Sequence, residues 1–190
     1  MQDSPVHVLA VQLLAHLSRH RLNTKMMAFK QQMVVPALVK ATYSNSDVSR
    51  RYGCFAIQNL SHDKSCRQEL ASSETLIAAL CKRARHSKDP EERLAAICSL
   101  KNLTDEPANL IPLSNTPECI ATLMQIAHGQ EEGVTEIMQF RACDALATIS
   151  HWLRKIATNG QAMDALKHGG TKAPGMFVPS LKVVGWSQYA

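Results

Sequence analysis

Four short segments of this chain repeat one pattern: residues 9–18 (LAVQLLAHLS), 52–61 (YGCFAIQNLS), 95–104 (AAICSLKNLT) and 141–150 (RACDALATIS). Their anchor residues, Leu17, Leu60, Leu103 and Ile149, are spaced by 43, 43 and 46 positions. A period in that range marks stacked helical repeats, in which each unit buries its apolar face against its neighbours. Such an array is usually a surface for holding other molecules.

The pattern holds position by position. Three residues before each anchor stand Leu14, Ile57, Leu100 and Leu146; six before, Val11, Cys54, Ile97 and Cys143; seven before, Ala10, Gly53, Ala96 and Ala142. Offsets of three and of six to seven share one face of a helix, so these residues form a core-facing stripe. The small residue seven back lets a neighbouring helix approach closely. One position past the anchor come Ser18, Ser61, Thr104 and Ser150, hydroxyls suited to ending a helix.

A second apolar stretch follows each of the first three anchors. It runs through Val34, Val35, Pro36, Leu38 and Val39, then Leu76, Ile77 and Leu80, then Ile120, Leu123 and Met124. Each predicts a second amphipathic helix packed on the first. Asp89 before Pro90 and Glu92 reads as a helix start, as do Ser46 and Asp47 ahead of Tyr52. No alternating run of strand length occurs before residue 175. The expected class is all-α: a right-handed α-solenoid of about four repeats over residues 1–168, with an irregular tail at 169–190.

These features resemble the armadillo repeat family, whose third helix often carries a signature close to A-x-x-A-L-x-N-L-S. Residues 55–61 (FAIQNLS) and 99–104 (SLKNLT) look like it, and Pro36, Ala37, Leu38 and Val39 are similar to the opening of the family's second helix. The resemblance covers residues 5–168. The asparagine before the anchor is Asn59 and Asn102 in the inner repeats, but His16 and Thr148 in the outer ones. The tryptophan that nuclear-import adaptors of this family carry four residues earlier is replaced by Gln12, Phe55, Cys98 and Asp144, which argues against a receptor for nuclear-localisation signals. The HEAT repeat is a structural cousin of similar period.

Composition agrees with a helical array: 45% of the 190 residues are hydrophobic and only 5% aromatic. No run of 18 apolar residues exists, so no transmembrane segment is expected. The opening residues are polar and the first apolar run already belongs to the first repeat, so no signal peptide is expected. Cys54 and Cys143 take the register of Val11 and Ile97, which predicts buried, reduced thiols replacing aliphatic residues. A metal site built from Cys54, His62, Cys66, Cys81 and His86 would lack the C-x₂-C pairs of structural zinc. Neither disulfides nor metal are therefore expected, and the compartment should be reducing and intracellular, cytoplasm or nucleus.

No catalytic constellation stands out. The chain has no glycine-rich phosphate loop, no G-x-S-x-G elbow and no H-E-x-x-H. Acid pairs such as Glu91-Glu92 and Glu131-Glu132 read as solvated helix faces. The sequence thus points to a non-enzymatic chain without a cofactor.

Positions one, five and eight before each anchor share a face beside the core stripe. In the armadillo family that face lines a concave groove. Here it offers His16 and Gln12; Asn59, Phe55 and Tyr52; Asn102; and Thr148, Asp144 and Arg141. An asparagine amide both donates and accepts, so it can pair with the backbone of an extended peptide of any sequence. The expected partner is a protein or extended peptide captured in that groove; the array could equally serve as a rigid subunit of a larger assembly. The net charge is +5, with Arg19, Arg21, Lys25, Lys30 and Lys40 against Asp3 in the first 43 residues. Arg50, Arg51, Arg93, Lys101 and Arg141 sit at or just before the later signature helices. This balance favours an acidic peptide, with a nucleic acid as the alternative. The tail residues Phe177, Val178, Leu181, Val183, Val184 and Trp186 are apolar enough to need burial against the array or a partner.

Overall fold

Five of the described helices start on a side-chain cap. The computed structural model describes residues 4–28 and 33–159. Ser4 caps α1 (Pro5–Leu17) by accepting from the His7 N–H, with Pro5 in the first turn, where its missing N–H costs nothing. After α2 (Arg21–Ala28) and α3 (Val34–Thr42), Ser46 caps α4 (Asp47–His62). Asp63 caps α5 (Lys64–Ala71) and Ser73 caps α6 (Glu74–His86). Asp89 Oδ1 accepts from the N–H groups of Glu91 and Glu92 and starts α7 (Pro90–Thr104). A 3₁₀ turn (Pro107–Asn109) leads to α8 (Leu110–Ser114) and α9 (Pro117–His128). Gly129, at φ 66°, ends α9 in the left-handed conformation that glycine adopts without steric cost. The last described helix is α10 (Glu136–Asn159). Among the described residues there is no strand, and the fold is all-helical.

The helices lie in three rows. α1, α4, α7 and α10 pack in succession; α3, α6 and α9 form a second row, each against the next member of the first; α2 and α5, then the 3₁₀ turn, form a third. The rows are stitched at one spacing. Eight side-chain hydrogen bonds join residues 38 to 44 positions apart, around the 43-residue period of the anchors. Gly53 shows why the seventh position back must be small. A methyl group there would meet the Ala41 Cβ at 3.2 Å and the Leu38 carbonyl oxygen at 3.4 Å.

The two inner signature helices fit the predicted stripe. Leu60, Ile57, Cys54, Leu103, Leu100 and Ile97 are all fully buried. The outer two depart from it. Leu17 is 42% exposed and Ala10 is exposed, because among the described residues no helix covers that side of α1; Cys143 on α10 is exposed as well. Ser150 does not end a helix, since α10 continues to Asn159, whereas Ser18, Ser61 and Thr104 each bond back to the carbonyl three residues earlier at a helix end.

The acid pairs are corrected too. Glu92 is fully buried: Arg83 donates to its Oε1 at 3.3 Å, and the Arg50 Nε lies 3.5 Å from its Oε2. Glu131 and Glu132 lie in the loop at 129–135 and hold the buried Arg93, through the Glu131 carboxylate at 2.5 Å and the Glu132 carbonyl at 3.1 Å. Glu131 and Glu132 are therefore not a solvated helix face but part of a loop tied to α7. Residues 160–168 and the tail at 169–190 lie outside the described residues.

Candidate groove between the first and second signature helices

Tyr52 and Phe55, three residues apart on α4, share one helix face and meet edge-on with centroids 6.1 Å apart. The His16 ring of α1 sits 6.0 Å from Tyr52, tilted by 50°. These three rings, with Ala15, Arg19, Gln58 and Asn59, line a cleft of about 230 Å³ between α1 and α4. Its wall is mixed: aromatic edges, a guanidinium, an imidazole and two amides. Such a lining suits a short stretch of peptide carrying an apolar side chain next to an acidic one.

Of the residues expected in the groove, His16, Tyr52, Phe55 and Asn59 are brought together here. Gln12 is half-buried on α1 and does not line this cleft. Sequence reasoning missed Arg19 and Gln58. Gln58 stands two before its anchor and Arg19 two after, offsets that flank the predicted face, so a wider reading of the helix face would have included them.

The asparagines face a different duty from the one expected. Asn59 Nδ2 donates to the Ser18 Oγ at 3.0 Å and to the Ala15 carbonyl at 3.4 Å. Asn102 Nδ2 donates to the Ser61 Oγ at 3.1 Å. Each amide therefore bridges to the end of the previous signature helix, pairing the residue before one anchor with the hydroxyl after the preceding one. The peptide-binding role read for Asn59 and Asn102 loses these donors to the fold.

Farther along the row the expected face changes character. Asp144 pairs with Lys101 at 3.2 Å, and Lys101 also reaches Asp105 at 2.9 Å. Burial works against the Lys101 charge, yet these two carboxylates hold its pKa above the ordinary lysine value. Thr148 donates to the Asp144 carbonyl and borders a second cleft of about 390 Å³ with Thr104, Pro107, Leu110, His151 and Trp152. Arg141 is half-buried and borders neither cleft. Of the residues expected along this face, Thr148 thus borders the second cleft and Asp144 is held by Lys101.

Basic residues of the signature helices are also engaged internally. Arg50 pairs with Asp47, Arg51 with Asp89 at 2.5 Å and Glu91 at 3.6 Å, and Arg93 with Glu131. The cysteines do not assemble with histidines. Cys54 is buried, its thiol pushed well above the usual range by that burial and by nearby Glu92. Cys119 lies beside Cys81 across α9 and α6, and its thiol is held protonated by that neighbour and by burial. Among the described residues no three His, Cys, Asp or Glu side chains come together in a way that could hold a metal ion. No described helix is long and apolar enough to cross a membrane. The chain matches no protein-family model, and none of the curated proteins matches it.

Proposed function

We propose that this chain is an armadillo-like, right-handed α-solenoid acting as a non-enzymatic interaction module, which holds an extended peptide segment of a partner protein. The three helix rows and the hydrogen bonds at a 38–44-residue spacing support the solenoid reading. The observation that carries the function is the α1–α4 cleft, where the His16, Tyr52 and Phe55 rings stand beside the exposed Arg19. The chemistry of that lining fits a peptide with an aromatic or aliphatic residue close to an aspartate or glutamate. Capture of such a segment needs no reacting group and no cofactor.

The experiment is peptide display against the whole chain, followed by titration of the selected sequence into Arg19→Glu and Tyr52→Ala variants. Selected peptides should combine an apolar with an acidic residue, and either substitution should weaken binding by at least about tenfold, equivalent to roughly 1.4 kcal/mol. A nucleic-acid partner is the competing reading. It is disfavoured by the internal pairing of Arg50, Arg51 and Arg93. Tight binding of generic RNA that falls steeply with salt, together with no peptide selected at the cleft, would reverse the preference.

A further inference from the structure

The outward side of α1 presents Val6, Ala10, Leu13 and Leu17, all exposed, with Val6 at 75% and Leu13 at 60%. At the same four register positions α4 has Ser49, Gly53, Ala56 and Leu60; α7 has Glu92, Ala96, Ser99 and Leu103; α10 has Met138, Ala142, Ala145 and Ile149. Every one of those twelve is buried. In the later helices a second-row helix lies on this side: α3 on α4, α6 on α7 and α9 on α10. Gly53 is within touching distance of Ala41 and Leu38 of α3. The molecule therefore shows three times what covers this register, and α1 alone has no such helix among the described residues.

We infer that the exposed stripe on α1 is a docking surface for one amphipathic helix of a partner protein, lying on α1 as α3 lies on α4 and carrying acidic flanks. The apolar face follows from the internal template, since α3 buries Val35, Leu38 and Val39. The acidic flanks follow from charge. α1 and α2 hold no acidic residue, and Arg19, Arg21 and Lys25, on the segment that follows α1, are exposed. A second copy of this chain is a poorer occupant. Head-to-tail stacking would bring α10, a first-row helix, against α1 and leave the second-row place empty. Residues 169–190, with four glycines, two prolines and no helical period, lack the pattern of an amphipathic helix. Leu13 stands where the covered helices have Ala56, Ser99 and Ala145, so a larger knob must enter the partner helix. That makes Leu13 the residue on which the contact should depend most.

The test uses the whole chain and a fluorescein-labelled, hydrocarbon-stapled peptide bearing the α3 apolar face with glutamates at its outward positions. Anisotropy should show saturable binding, weakened at least about tenfold by Leu13→Glu at an unchanged thermal midpoint. Tyr52→Ala, which alters the α1–α4 cleft, should leave this binding intact, which separates the two surfaces. The inference is overturned by the absence of saturable binding, or by equal binding to Leu13→Glu. It is also overturned by a dimer that Leu13→Glu dissolves and the peptide does not displace, or by binding that appears only when residues 160–190 are removed.

Discussion

α1 and α4 carry the same pattern 43 residues apart, and one is half-bare while the other is sealed. Leu60 is fully buried and its counterpart Leu17 is 42% exposed. Both helices have the small residue seven back, the aliphatic residue three back and the hydroxyl one past the anchor. Periodicity thus fixes which face of a helix can be buried, and the neighbours decide whether it is. The comparison also explains a difference in side-chain size. α4 has Gly53 and Ala56 where α3 presses on it, and α1 has Ala10 and Leu13 where no described helix does.

The largest effect expected from breaking this comparison is at the first position of the stripe. Glu92 is buried between Arg83 and Arg50, while Val6 at the same register of α1 faces outward. Glu92→Met, which installs the residue α10 carries there, takes from Arg83 its carboxylate partner and from Arg50 one of two, and should cost about 3–5 kcal/mol. Val6→Glu should change stability by no more than about 0.5 kcal/mol. Urea unfolding of both variants measures the contrast, and similar losses would mean that the α1 face is covered.

The anchors give the next step. Leu60→Ala and Leu103→Ala should each cost about 2–5 kcal/mol through lost transfer energy and the cavity left behind. Leu17→Ala, in the same register, should lose less than about 1 kcal/mol, because a side chain already wet leaves no closed cavity. Denaturant midpoints that rank Leu17 with Leu60 would reject the open-end description.

Much of this was legible in the sequence, for a stated reason. The signature helices, their partners through Val35, Ile77 and Leu123, and the caps at Asp89 and Ser46 all follow from spacing and cap chemistry, which are local. The short helices α2 and α5 were not read, since eight residues with few apolar positions give little period to detect. Burial of Glu92 and Arg93, and the duty of Asn59, depend in part on residues 38 to 44 positions away, which no local pattern reveals. The α1–α4 cleft was half legible: its α4 wall came from the helix face, but Arg19 lies beyond the end of α1.

A smaller effect belongs to the asparagine bridges. Asn59→Ala removes both donors that reach Ser18 and Ala15, and Ser18 is buried, so stability should fall by about 1–3 kcal/mol. Thr148, the equivalent in α10, bonds within its own helix to Asp144, so Thr148→Val should cost less. Thermal melts of the two variants compare a bridge between helices with a bond inside one. An unchanged midpoint for Asn59→Ala, with weakened peptide binding, would return that residue to the groove.

The smallest effect is a pH dependence confined to one joint. Thr24 on α2 donates to Asp63 Oδ2 at 2.7 Å and Ser65 adds a second bond, so the Asp63 carboxyl is held down at about 2. In the unfolded chain an aspartate titrates near about 3.9. A carboxyl whose folded pKa is the lower one stabilises the fold fully above about pH 4 and loses that contribution as pH falls from about 4 towards 2. The next joint along the row joins Asn109 Nδ2 to the Arg67 carbonyl at 3.0 Å, a pair with no titrating group. Asp63→Asn keeps a residue able to cap α5 and removes the titration. Between pH 5 and pH 3 the wild-type chain should therefore lose more stability than Asp63→Asn, with every other acid common to both. Thr24→Val should shrink the difference, because the Thr24 bond is the larger cause of the shift. The group is well hydrated, so the gap will be modest. Parallel urea midpoints for the wild type and Asp63→Asn across that window would show that the α2–α5 joint is no more sensitive to acid than the neutral joint beside it.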